Sequence, residues 1–339
     1  MPEQDWDAMQ LDRSTVKSGA VVPMVGLISN PKSTTNAGGM EKVRRLVSES
    51  GNVVHYELDG PASVDDALAL LARANPAVLI INGGDGTIGM VLAALLHRSP
   101  FKVIPPIVLL PGGKTNMTAA DLGARGCPEK VLRRALSLLR RGKLADRLTS
   151  RNLLELDMGD GTPPRVGTFL GAAGVVKAIF WCRRHAYARG LPNVVAHGVS
   201  LFTMLGAALA IGPQRKLMRS NPMRIRVRGG GALEGRYMAV FVTSLNSLLF
   251  GLKPFGREGQ GGLGFAAVEP GTANVMRAFV AVLGRWFGRT TVKGAHTRRS
   301  DQVVLECTDP LTLDGEIYTP KPGVPITVRG DRALTFVRL

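Results

Sequence analysis

Val78-Leu79-Ile80-Ile81-Asn82-Gly83-Gly84-Asp85-Gly86-Thr87-Ile88 decides the fold. An apolar strand ends at Asn82, three glycines follow within four residues, and an apolar helix starts at Ile88. Backbone N–H groups at such a turn face whatever sits above the helix. Glycine lets a phosphate come close to the chain, and the helix N-terminus adds partial positive charge. Gly83, Gly84, Gly86 and Thr87 are therefore candidate phosphate-binding positions. Asp85 differs from them, because a carboxylate repels phosphate directly. It fits as a ligand for Mg²⁺ or as acceptor of a proton from a substrate hydroxyl. The structural alternative is a tight strand-to-helix turn with Asp85 capping the helix.

On either side of this loop strand and helix alternate. VVPMVGLIS at 21–29 precedes a helix from Gly39, and VVHYEL at 53–58 precedes a helix near Val64 to Ala74. AVLII at 77–81 precedes the helix from Ile88, and PIVLL follows at 106–110. This alternation predicts an α/β domain over 21–147, with a largely parallel, doubly wound sheet. Ligands of such sheets bind at the carboxyl ends of the strands. Two more loops lie at strand ends: Asn30-Pro31-Lys32-Ser33, which runs on into small residues, and Gly113-Lys114-Thr115-Asn116. The second is not a P-loop, since Val108 stands where GxxxxGK[ST] requires glycine. Lys114 offers a phosphate a flexible point charge, or else is a solvated loop lysine.

Beyond Leu148 the texture turns β-like: NLLELDM, RVGTFLGAA, MRIRVRG, RYMAVFVTS, DQVVLECT, LTLDGEIY, PITVRG and ALTFVRL, separated by Gly, Pro and Asp turns. An antiparallel, β-rich sandwich domain over 148–339 is expected, interrupted by helices around 175–189, 199–211 and 273–287. Residues 1–20 read as a flexible tail. Two lobes suit a chain of 339 residues, because single cores stop growing at roughly 250 to 300. Leu313-Asp314-Gly315-Glu316 places two acids across a glycine at a strand end. Most such Asp-Gly pairs are hairpin turns. If the fold returns them to the nucleotide loops, one acid can take the hydroxyl proton that phosphoryl transfer releases.

The balance of 43 Lys+Arg against 26 Asp+Glu leaves a net charge of +17, which favours an anionic partner. Only 5% of residues are aromatic and no stretch interleaves them with Arg or Lys. This weighs nucleotide and membrane above nucleic acid, and no nucleic-acid partner is expected. Cys127, Cys182 and Cys307 lack the spacing of a disulfide framework or zinc site. The polar start, Met1 to Gly19, is unlike a signal peptide, and the longest apolar stretch, 199–212, is shorter than the about 20 residues of a bilayer span. A cytoplasmic protein is expected.

NPKS, GGDGT, the PGGKTN loop and the late LDGE, in this order, resemble the diacylglycerol kinase catalytic-domain family of lipid kinases, which includes diacylglycerol, sphingosine and ceramide kinases. NAD kinases are more distant relatives. The resemblance implies ATP and Mg²⁺ in a cleft between an α/β domain and a β-rich lipid domain. It implies that Asn30 to Ser33 and Gly83 to Thr87 contact ATP and that Asp85 helps hold Mg²⁺. Glu316, with Asp314 beside it, falls at the proton acceptor. Two departures stand out. The family's P-x-G-T-x-N-D has Lys114 for the threonine and Met117 for the aspartate, exchanging a hydroxyl contact for a charge. Gln260-Gly261-Gly262-Leu263-Gly264 lacks the acids of the family's structural-metal stretch, so no such metal is expected.

A lipid kinase needs an apolar cavity with a basic rim. Ala178-Ile179-Phe180-Trp181 before Arg183-Arg184, and Leu201-Phe202-Thr203-Met204-Leu205 before Arg215-Lys216 and Arg219, offer that combination, as do plain core helices with solvated ends. Leu248-Leu249-Phe250 is cavity wall or core. The expected partners are a lipid substrate at the inner membrane surface and anionic headgroups against the basic patches. Which lipid, and how many copies of the chain assemble, the residues do not say. Two rivals are a soluble kinase of NAD-kinase type and a catalytically silent lipid- or nucleic-acid-binding protein.

Overall fold

The computed structural model describes residues 22–177, 221–247 and 258–339. The apolar and basic segments at 178–184 and 201–219, most of the expected helix at 175–189, that at 199–211, residues 1–20 and Leu248-Leu249-Phe250 lie outside the described residues.

Numbering the strands in chain order, β1 (Val25–Ser29), β2 (Val53–Glu57), β3 (Val78–Gly83) and β4 (Ile107–Pro111) pair in parallel in the order β2-β1-β3-β4. Every residue of β1, β3 and β4 is buried. That follows from covering both faces with helices, which removes the need for alternation. The helices α1 (Met40–Ser50) and α5 (Pro128–Arg140) pack together, as do α2 (Ser63–Ala74) and α3 (Asp85–Arg98). Short α4 (Met117–Asp121) follows β4. The helix expected from Ile88 starts at Asp85, inside the glycine loop.

Two strands complete this sheet from beyond residue 147. β5 (Leu148–Asn152) runs antiparallel to β18 (Ala333–Val337), which pairs in parallel with β4. The chain thus ends inside the first sheet, so a division at 147 cuts across hydrogen-bonded strands.

The remaining strands form two antiparallel sheets. One has the order β10-β9-β14-β17-β6-β7, built from β6 (Leu154–Asp157), β7 (Arg165–Gly167), β9 (Met223–Val227), β10 (Gly231–Gly235), β14 (Gln302–Glu306) and β17 (Ile326–Arg329). The other has the order β13-β12-β11-β8-β15-β16, from β8 (Phe169–Ala173), β11 (Ala239–Thr243), β12 (Leu263–Val268), β13 (Ala295–Ser300), β15 (Leu311–Leu313) and β16 (Glu316–Tyr318). Leu156, Ile225, Val303 and Val328 of one sheet share a core with Leu170, Val242, Phe265 and Leu311 of the other. This is the expected sandwich. On its outer face, α6 (Thr272–Leu283) sets Ala278 and Ala281 against Ala266 and Val268. RVGTFLGAA, which reads as one run, is two strands: the chain leaves one sheet at Gly167 and joins the other at Phe169. Among the described residues no helix is long and apolar enough to cross a membrane.

Candidate functional site

The three loops expected at strand ends do converge. Asn30, just after β1, donates from Nδ2 to the Thr87 hydroxyl at 2.8 Å, while its Oδ1 accepts the Lys32 N–H at 2.9 Å and so shapes the Pro31-Lys32 turn. The Ser33 hydroxyl closes that turn on the Asn30 carbonyl at 2.9 Å, and Lys32 Nζ donates to the Asp59 carbonyl at 2.6 Å. Thr35 donates its hydroxyl to the Gly113 carbonyl at 2.9 Å, and Asn36, fully buried, donates to the Asn30 carbonyl at 2.9 Å. Asn36 also donates to the Asn82 carbonyl at 3.3 Å, so that Thr35 and Asn36 tie the first loop to the other two.

The glycines serve this convergence. A Cβ on Gly113 would stand 2.5 Å from the Gly84 Cα, and one on Gly112 would stand 2.9 Å from the Gly83 Cα. The two loops touch backbone to backbone, a contact that only glycine permits. Asn116 holds the second loop in a closed turn, with Oδ1 on the Gly113 N–H at 2.7 Å and Nδ2 on the Gly113 carbonyl at 2.8 Å. It does so from the left-handed region, at φ 50°, which asparagine tolerates better than most side chains. Lys114 is exposed at the turn and Thr115 half-buried. Above them α3 begins. Its first intrahelical bond runs from Ile88 N–H to the Gly84 carbonyl, leaving the Asp85, Gly86 and Thr87 N–H groups without helical partners.

Asp85 does not cap its own helix, whose N-cap is Gly84. Its carboxylate instead faces the backbone N–H groups of Thr118, Met117 and Asn116, at the start of α4. The residue as a whole is partly exposed, yet Oδ1 is sealed and has no hydrogen-bond partner. Burial outweighs the three N–H groups and pushes the carboxyl up to about 6. Asp314 lies close enough to feel it.

The late hairpin brings Asp314 and Glu316 to these loops. Asp314 and Gly315 form the β15–β16 turn, both with positive φ, at 47° and 94°. Asp-Gly suits such a two-residue hairpin. The Asp314 side chain turns inward. Oδ2 accepts the Thr168 N–H at 2.9 Å, while Oδ1 accepts the Phe169 N–H at 2.9 Å and the Thr168 hydroxyl at 3.1 Å. These are the donors freed where the chain changes sheets. Burial, then the charge on Asp85, pushes the Asp314 carboxyl up to about 7 despite the three donors. Glu316 faces the other way and is exposed, with Oε2 accepting the Tyr318 hydroxyl at 2.7 Å. Its Oε1 would be 3.2 Å from a Cβ on Gly86, which places the carboxylate over the first turn of α3. The Arg165 guanidinium lies 4.7 Å over the Tyr318 ring.

The GGDGT helix start, its neighbouring loops and an acid from the far end of the chain thus meet in one place. Residues 24–146 match the diacylglycerol kinase catalytic domain. The matched segment holds all three loops and stops short of Asp314 and Glu316. Likeness to solved structures reaches further. A candidate diacylglycerol kinase from Bacillus anthracis str. Sterne has a TM-score of 0.61 at 15% identity, covering 94% of this chain and 97% of its own. A second such structure from that organism has a TM-score of 0.60 at 16% identity, with the same coverages. At these identities the likeness is one of fold. It extends the diacylglycerol-kinase-like architecture across both lobes. No curated protein matches the sequence.

Four contributors escaped the sequence reading. Thr168 and the backbone of Phe169 hold Asp314, and the Thr118 hydroxyl meets that of Thr168 at 2.9 Å. Tyr318 orients Glu316. Only Tyr318 left a signal, two residues along the strand from Glu316 and so on the same face. The others depend on contacts across 50 to 146 residues and were invisible to local pattern.

Proposed function

We propose that this chain is an ATP-dependent kinase that transfers a phosphoryl group to the hydroxyl of a membrane lipid, either diacylglycerol or a ceramide or sphingoid-type acceptor. The observation that carries the proposal is the placing of Glu316 over Gly86, at the N-terminus of α3. An anion bound by the unpartnered N–H groups of Asp85, Gly86 and Thr87 lies within reach of a carboxylate able to take a proton.

The Asn30 to Ser33 turn, Gly83 to Thr87 and Gly113 to Asn116 would enclose the nucleotide, with Lys114 beside the phosphates. Asp85 Oδ1, sealed and lacking a hydrogen-bond partner, suits a hard cation. Mg²⁺ binds through one or two carboxylates together with phosphates and water. When bound, Mg²⁺ neutralises phosphate charge. Tyr318 pins Glu316 through Oε2, and Glu316 accepts the proton of the lipid hydroxyl as its oxygen attacks the γ-phosphorus and ADP departs. Asp314, engaged by three donors, is a positioning residue that fixes the hairpin. This differs from a role as proton acceptor beside Glu316.

Labelled ATP and Mg²⁺ incubated with diacylglycerol, ceramide, sphingosine and NAD test the proposal. A phosphorylated lipid is the expected product. Transfer to NAD alone overturns the lipid assignment, and no transfer with vesicle binding intact favours the silent binder.

A further inference from the structure

We infer that α6 and the turn after it form a docking face for an anionic lipid bilayer, a partner surface for the kinase proposed above. The other exposed large apolar side chains lie elsewhere: Val22 and Met24 just before β1, and Leu70, Val103 and Leu148 each on a different part of the chain. Val280, Leu283 and Trp286, however, fall together and are 49%, 57% and 39% exposed. Val280 and Leu283 share the outward side of the helix, opposite Ala278 and Ala281, which are buried on the sandwich.

The helix end is shaped to hold Trp286 outward. Arg285 adopts φ 59°, unusual for a residue with a side chain, and the Trp286 and Phe287 N–H groups both return to the Ala281 carbonyl at 3.0 Å. Phe287 is thereby driven into the core at 4% exposure. A Cβ on Gly284 would stand 2.5 Å from the Trp286 indole nitrogen, so Gly284 leaves room for the ring to lie across the helix end.

Along this stretch of chain the charge has one sign. Arg277, Arg285, Arg289 and Lys293 are all exposed, and the sequence has no acid between Glu269 and Asp301. An amphipathic helix with a tryptophan and a basic surround suits the boundary of a bilayer with anionic headgroups. A second copy of the chain suits it poorly. A two-fold contact would set these arginines against themselves, and three side chains offer far less than the roughly 800 Å² per partner of a stable interface. Nucleic acid has no use for the apolar ridge at the centre. α6 covers β12, three strands from β15 and so about 15 Å across the sheet from the catalytic hairpin. Docking here anchors the protein without occupying the cleft.

Co-sedimentation with vesicles tests this, using phosphatidylcholine alone and phosphatidylcholine with about a third phosphatidylglycerol. The native protein should pellet with the anionic vesicles and much less with the neutral ones. A Leu283→Glu, Trp286→Ala double variant should lose roughly tenfold or more in vesicle affinity. Arg277→Gln with Arg289→Gln should lose about fivefold per arginine, with the loss shrinking at high salt. All variants should keep the native melting temperature and turn over a water-soluble short-chain acceptor at the native rate. Unchanged vesicle binding in the double variant overturns the inference. So does a native dimer, seen by light scattering without lipid, that the double variant abolishes. If vesicle binding follows this pattern while no acceptor is phosphorylated, the docking face stands and the kinase proposal falls.

Discussion

Asp314 accepts the backbone N–H of Thr168 at 2.9 Å across 146 residues of chain. The bond sits where the chain passes from one sheet of the sandwich to the other, and it ties the hairpin carrying Glu316 to that crossing. Replacing Asp314 with alanine takes the acceptor away from the Thr168 and Phe169 N–H groups. The expected loss is about 1–3 kcal/mol of stability, read as a lower melting temperature, together with a fall in turnover. Intact stability with lost turnover would instead give Asp314 a direct part in the chemistry.

Glu316 has the opposite profile. It is exposed and bonded only to its near neighbour Tyr318 among the contacts described here. Glu316→Gln should lower kcat by roughly 10²–10⁴-fold, the usual weight of a general base, without shifting the melting temperature or ATP affinity. Tyr318→Phe should cost less, since it loosens the carboxylate and removes no acceptor.

Gly113→Ala tests the contact between loops. Its Cβ meets the Gly84 backbone rather than a side-chain end that can swing aside. Overpacking of about 1–3 kcal/mol is expected, with a raised KM for ATP. Gly126→Ala or Gly161→Ala makes a poor control, because positive φ strains them in any case. Gly60→Ala, with open space around it and ordinary φ, should be close to neutral.

Asp85 and Asp314 should shape the pH dependence of the nucleotide-free protein. Both carboxyls lie above the ordinary 3.8, at about 6 and about 7. A raised acid favours the folded chain while protonated. Its contribution is complete below 3.8 and is lost as pH rises through the folded value. His55 acts in the other direction, its burial lowering its pKa, so that it costs stability as pH falls. Comparing the native protein with Asp314→Asn cancels His55. The native melting temperature should fall relative to the variant between about pH 4 and 7; parallel curves would remove Asp314 as a titrating group.

Mg²⁺ should work against the same protons. At pH above about 6, where Asp85 ionises, Mg²⁺ with ATP should raise the native melting temperature, and less so in acid. Asp85→Asn should lose this response and its turnover while remaining folded. A native-like Mg²⁺ response in that variant would take Asp85 out of the ion's reach.

Much of the first lobe was legible because local pattern and tertiary role coincide there. β1, β3 and β4 are apolar throughout, since helices bury both faces, and each runs into a loop rich in glycine or asparagine. The start of α3 was misplaced to Ile88 because Asp-Gly-Thr is poor helix sequence; tertiary contacts carry it. β12 and β13 went unread for a related reason. Leu263-Gly264-Phe265-Ala266 mixes glycine and alanine into a run that resembles no strand until neighbours pair on both sides. The glycines of the strand-end loops read as room for phosphate. They are equally room for each other, which only the packing of Gly84 on Gly113 reveals.

The sequence by itself determined that a strand ends at Asn82 in a glycine turn, that a helix follows, and that two acids flank a glycine near the chain's end. Backbone preference and apolar periodicity act over a few residues, and those features lie within that range. The tertiary structure alone decided that Asp314 and Glu316 serve different ends. Side chains two apart on a strand share a face, but the left-handed turn at Asp314-Gly315 separates these two, sending one carboxylate into the sheet crossing and the other over the helix start. That same folding-back set a carboxylate from far downstream over the glycine turn at the start of α3.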